Sequence, residues 1–150
     1  MGRSDSRKDG GFSLIEVLVA ITILAVGLLA LALMQTTAIK GNALASQSTV
    51  ATQLAQDQLE RFRHTAWAGI VSSPAAGYDT ATPMATPVYA NLPGSAGDVI
   101  IVRGTQYARV WYVVNNTATL RTITVWVCWQ DSLQNWHNVS QVTQRTDVGV

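Results

Sequence analysis

The sequence predicts an α+β protein with one long amino-terminal helix, hydrophobic in its first half, packed on a small carboxy-terminal antiparallel sheet. Three observations carry this. From Val17 to Met34 the chain is an apolar run in which Thr22 is the one polar side chain. Helical periodicity then continues without a proline until Pro74. The last third alternates apolar and polar residues, the period-two signature of a half-buried strand. Between helix and sheet, all 4 prolines of the chain and a scatter of glycines mark a connecting loop over 67–98.

The helix is expected from Phe12 to about Ala66. Its first segment, 12–34, would run roughly 34 Å at 1.5 Å per residue, enough to cross a hydrocarbon core of about 30 Å. Arg3, Arg7 and Lys8 precede it, and the next basic residue is Lys40. That asymmetry favours a single-pass topology with a cytoplasmic amino end and the rest of the chain outside. Residues 35–66 read as an amphipathic continuation. Ile39, Ala43, Val50, Leu54, Leu59 and Phe62 recur at near-helical spacing and need cover. Gly27 and Gly41 each weaken the helix by about 1 kcal/mol relative to alanine.

In the loop, at most a short strand is expected around Val88–Leu92. The sheet, 99–150, should comprise Val99–Val102, Gln106–Val114 ending at an Asn115-Asn116 turn, Arg121–Gln130, and Trp136–Val142 after a turn at Asp131–Asn135. In the third of these, Ile123, Val125, Val127 and Trp129 point one way and Thr122, Thr124, Trp126 and Cys128 the other. The Ile123 face should pack on the helix stripe containing Leu54, Leu59 and Phe62. Trp126 and Trp129 must then face opposite sides. Either the one away from the helix packs under a loop, or it is exposed and available to a sugar or a partner subunit.

Gly10-Gly11-Phe12-Ser13-Leu14-Ile15-Glu16 is the most informative stretch. A secretory signal places its small-residue cleavage site after the apolar run; here the small residues precede it, so a cut would leave the hydrophobic segment on the mature chain. An ordinary membrane anchor would also avoid Glu16, whose burial costs on the order of 2.5–3.5 kcal/mol. The stretch resembles the type IV prepilin signal. That resemblance implies a leader of residues 1–11, cleavage between Gly11 and Phe12 by a prepilin peptidase, and methylation of the new Phe12 amine. It also implies that Glu16 serves processing and subunit assembly by pairing with such an amine in a neighbouring subunit. The alternative for Glu16 is a carboxylate that reaches the cytoplasmic headgroups.

The following run, including Ile15-Glu16-Val17-Leu18-Val19-Ala20, Ala25-Val26-Gly27-Leu28-Leu29-Ala30-Leu31-Ala32 and Gln35, is similar to the PilV family of minor pilins. So is Leu54-Ala55-Gln56-Asp57-Gln58-Leu59-Glu60-Arg61-Phe62-Arg63. The resemblance implies the pilin fold and a structural minor pilin incorporated into type IV pili or priming their assembly. Its implied partners are other pilin subunits through the amino-terminal helix, the peptidase/methylase, and the bacterial inner membrane. The headpiece would be periplasmic, then at the pilus and cell surface. Two alternatives stand beside it: a minor pseudopilin of a type II secretion system, and an anchored surface protein that binds a ligand or adheres.

Composition narrows the remaining classes. The net charge is +1, with a pI of about 7.9 and no basic cluster beyond the leader, so no nucleic acid is expected. Cys128 is the only cysteine, so no intramolecular disulfide can form, and a buried structural thiol is its expected role. His64 and His137 lack a companion acid, cysteine or serine at a recognisable spacing and read as surface or packing residues. With no paired carboxylates or triad, neither an enzyme, nor a cofactor, nor a metal site is expected.

Overall fold

The computed structural model describes residues 13–81 and 84–147. Helix α1 spans Leu14–His64, 51 residues in one uninterrupted element. The described chain divides into two units, one up to Asn42 and one from Ala43 onward. In the first unit the large apolar side chains from Leu14 to Met34 are all exposed. Threonine hydroxyls in this unit bond back to the helix: Thr22 donates to the Val19 carbonyl at 2.8 Å, and Thr36 to Leu33 at 2.8 Å.

In the second unit, the remainder of α1 lies on a four-stranded antiparallel sheet. Two short strands, β1 (Tyr78–Asp79) and β2 (Thr86–Pro87), pair with each other in the loop. Then follow β3 (Asp98–Val102), β4 (Thr105–Thr117), β5 (Leu120–Gln130) and β6 (Trp136–Thr146), ordered β3-β4-β5-β6 in a simple meander. The α+β arrangement expected from the sequence is therefore present: a long helix packed on a carboxy-terminal antiparallel sheet.

The alternation in β5 sorts its side chains into two cores. Ile123, Val125, Val127 and Trp129 face the helix and pack with Tyr107 against Ala51, Ala55 and Phe62. The helix line in closest contact is Ala51, Ala55, Gln58 and Phe62, spaced four, three and four residues apart. Leu54 and Leu59 flank it half-buried, while Ile39 and Ala43 are exposed. The expected stripe is thus rotated toward the alanines, whose small side chains let the helix backbone approach the sheet. On the opposite face, Trp126 and Cys128 form a second core with Ala108, Val110 and Leu92, covered by loop residues Tyr78, Tyr89 and Ala96. Trp126 is 4% exposed and Trp129 1%, so the two tryptophans do face opposite sides, and the outer one packs under the loop. None of the five tryptophans is exposed, so the alternative of a tryptophan left bare for a sugar or a partner falls away.

The loop is pinned rather than loose. Beyond β3, the free edge of β4 is taken up by Ser72 and Ser73. The Ser73 amide donates to the Trp111 carbonyl at 3.0 Å, and the Trp111 and Val113 amides donate to the Ser73 and Ser72 hydroxyls at 3.0 Å each. Gly97 allows the chain to pass close to Trp111: a Cβ there would lie 2.2 Å from the indole ring. The expected strand at Val88–Leu92 is instead a 3-10 turn over Tyr89–Asn91.

Further boundaries move, and β6 runs on to Thr146 rather than ending at Val142. The helix ends at His64 rather than Ala66, where Arg145 of β6 donates to the Phe62 carbonyl and, at 2.6 Å, to the Thr65 carbonyl. A guanidinium on these last carbonyls also complements the helix dipole. Asn115 and Asn116 lie within β4, and the reversal comes at 118–119. Their side chains explain this: Asn115 Oδ1 accepts from Arg121 Nε, and Asn116 Oδ1 from the Thr122 hydroxyl, each at 2.8 Å. Those cross-strand bonds hold both asparagines in the strand instead of a turn, Asn115 paired with Arg121 and Asn116 at a shift of register.

Candidate functional site

Ser13 precedes the first helical residue and acts as its cap. Its carbonyl accepts from the amides of Glu16 at 3.0 Å and Val17 at 3.2 Å, and its hydroxyl accepts from the Glu16 amide at 3.3 Å. Four amides at a helix start lack an i−4 carbonyl, and this arrangement satisfies that of Glu16, while the Val17 bond is the first regular turn of the helix. Ser13-Leu14-Ile15-Glu16 has the Ser-x-x-Glu spacing of a capping box. Ser13 is a functional residue beyond those expected from the sequence, and the Ser-x-x-Glu spacing is the signal that marks it.

Glu16 therefore sits in the first turn of α1, where the partial positive charge of the helix amino end favours a carboxylate. It is exposed, and with Val17, Ala20, Ile21 and Leu24 it lines a shallow apolar furrow along one side of the helix. The helix is long and apolar enough to cross a membrane. An acid at the head of an uncovered apolar helix is what the described part of the site consists of. Gly11 and Phe12, the expected cleavage and methylation residues, lie outside the described residues.

In the second unit the sequence-noted side chains take structural places. Cys128 is fully buried in the outer core, and burial pushes its thiol up to about 12. His64 is exposed on the last turn of α1. His137 departs from the expectation that it lacks an acidic companion: its Nε2 lies 3.0 Å from Asp131 Oδ2, and its ring stacks on Trp129 at 5.7 Å. The six-residue spacing carried no helix or motif signal; the β5–β6 hairpin brings the two together. Asp131 also accepts from the amides of Leu133 at 2.8 Å and Asn135 at 2.9 Å. The His137 bond first, then those amides, hold its carboxyl below the usual carboxylate range. The pair organises a turn.

Against known families, residues 6–32 match the model of the prokaryotic N-terminal methylation motif. The chain thus carries the prepilin-type signal of pilin-like and pseudopilin-like proteins, and its apolar helix begins inside the matched region. No curated protein and no solved structure matches the chain.

Proposed function

We propose that this chain is a structural minor pilin: a prepilin cut between Gly11 and Phe12, methylated on the Phe12 amine, and then built into a type IV pilus or used to prime one. The observation that carries this reading is the match of residues 6–32 to the prokaryotic N-terminal methylation motif.

Physical chemistry supports the roles. Cleavage after Gly11 would place a new ammonium one residue before the Ser13 cap, at the positive end of the helix, where a cation is unfavourable. Glu16 lies one turn further on and offsets that charge, either within the subunit or toward the amine of a neighbour. Inside a bilayer or a packed helical filament an unpaired carboxylate is costly, so pairing favours the staggered assembly that supplies a partner. The exposed apolar face from Leu14 to Met34 suits both stages, lipid before assembly and other subunits' helices after it. The partners are then the prepilin peptidase/methylase, the inner membrane and other pilins. The leader is cytoplasmic and the domain after the apolar helix periplasmic. No catalytic role is assigned. The PilV-like run Gly27-Leu28-Leu29-Ala30-Leu31 with Gln35 supports a pilus over a type II secretion pseudopilus.

Coexpression with and without a prepilin peptidase tests the reading, with the amino-terminal mass as the readout. Loss of Met1–Gly11 with a methylated Phe12 is expected, Gly11 substitution should block cutting, and Glu16→Ala should leave cutting intact while impairing methylation or assembly. An uncut terminus would overturn it. Recovery in sheared pili, rather than only in the envelope of a secreting cell, distinguishes the pilus from the secretion filament.

A further inference from the structure

We propose that a groove at one end of the four-stranded sheet is a binding site for a neutral saccharide. The groove has a volume of about 650 Å³ and lies between the β3–β4 turn, the β5–β6 turn and the loop stretch Tyr89–Pro93. That is within the roughly 300–1,000 Å³ of small-molecule clefts. Leu92 and Ala108 form its apolar floor, and Tyr89 and Trp136, their rings stacked on each other at 5.4 Å and 11°, line one side.

The chemistry of the rim selects the ligand class. Thr105, Gln106, Gln130, Ser132 and Gln134 supply hydroxyls and amides, and the Gln106, Ser132 and Gln134 side chains make no hydrogen bonds among the described residues. A side-chain amide donates and accepts at once, as a sugar hydroxyl does, while the apolar floor and aromatic side suit the C–H patches of a sugar. No basic side chain lines the groove, and its single acid, Asp131, is taken up by His137 and the Leu133 and Asn135 amides. A phosphate or a cation would find no free counter-charge there. The backbone under the rim is also set before binding: the Asp131 bonds hold the β5–β6 turn, Gln134 takes a left-handed φ of 63°, and the Tyr89 hydroxyl accepts from Asn138. A preformed rim lowers the ordering cost of a weak, polar ligand.

The full chain, held in a zwitterionic detergent without sugar headgroups, is titrated with maltotriose and with chitotriose. Tryptophan fluorescence and saturation-transfer NMR are the readouts. Saturable binding of at least one trisaccharide is expected, weakened roughly tenfold in the Gln106→Ala/Gln134→Ala double variant, as the loss of two side chains' hydrogen bonds implies. Both glutamines lie on the rim, and an unchanged near-ultraviolet circular dichroism spectrum checks that the fold is intact. Absence of saturation with both sugars at millimolar concentration, or equal binding by the double variant, would overturn the proposal. So would failure of both sugars combined with loss of the double variant's copurification with other pilins, which would make the groove a subunit contact. The outcome is independent of leader processing, because it is read on the purified chain.

Discussion

Arg109 and Asp98 face each other across β4 and β3 as a two-pronged ion pair. Arg109 Nε donates to Asp98 Oδ1 at 2.6 Å, and Nη2 donates to Oδ2. The pair is lopsided: the Arg109 side chain is 1% exposed and that of Asp98 34%. The third prong of the guanidinium, Nη1, donates to the Leu54 carbonyl at 3.1 Å, so one side chain ties the edge strand, the second strand and the helix together.

That asymmetry predicts an unequal response to mutation. Asp98→Ala leaves a buried guanidinium with only the Leu54 carbonyl, and it should cost about 2–3 kcal/mol. Arg109→Met removes the buried charge and leaves Asp98 where water reaches it, so it should cost less. Thermal unfolding of the two variants, followed by tryptophan fluorescence, decides this. An Arg109→Met variant less stable than Asp98→Ala would refute the account.

Gln58 occupies the helix line in closest contact with the sheet, and its buried Oε1 has no hydrogen-bond partner among the described residues. An unsatisfied buried acceptor costs about 1–3 kcal/mol. Gln58→Met keeps the length and removes that penalty, so the melting temperature should rise. A drop in stability would mean that the amide has a role the packing does not reveal.

Cys128 should be inert. Its thiol is buried in the outer core and pushed up to about 12, so almost none of it is thiolate at neutral pH. Alkylation with iodoacetamide at pH 8 should go to completion in denaturant and be negligible without it. Fast labelling of the native chain would contradict the burial.

Asp131 predicts an acid-side transition. Its folded-state carboxyl lies below the unfolded value of about 3.9, so its stabilising contribution is fully present above that value. The contribution is lost as pH falls toward the folded value, because the unfolded chain takes up the proton first. Asp131→Asn should flatten the dependence of stability on pH below about 4 relative to wild type. Identical acid limbs in the two proteins would show that the β5–β6 turn does not depend on the charge.

The single apolar run, the proline-free continuation, the loop and the alternating last third were all legible in the sequence. They rest on local periodicity and backbone chemistry, which each segment carries by itself. The prepilin-type signal was legible for the same reason, being a contiguous string of residue types, and Ser13 could have been read from the Ser-x-x-Glu spacing. Other features depended on which segments meet. Side-chain bonds to Arg121 and Thr122 keep Asn115 and Asn116 in β4, the hairpin pairs His137 with Asp131, and the alanines rotate the helix stripe. The Arg109–Asp98–Leu54 link joins residues up to 55 positions apart. Thus the sequence alone determined the kind of chain this is, a prepilin-type helix leading into an α+β domain. Tertiary structure decided where its charges, its buried thiol and its polar groove lie, because those are set by strand register and by close packing between distant segments, neither of which local periodicity encodes.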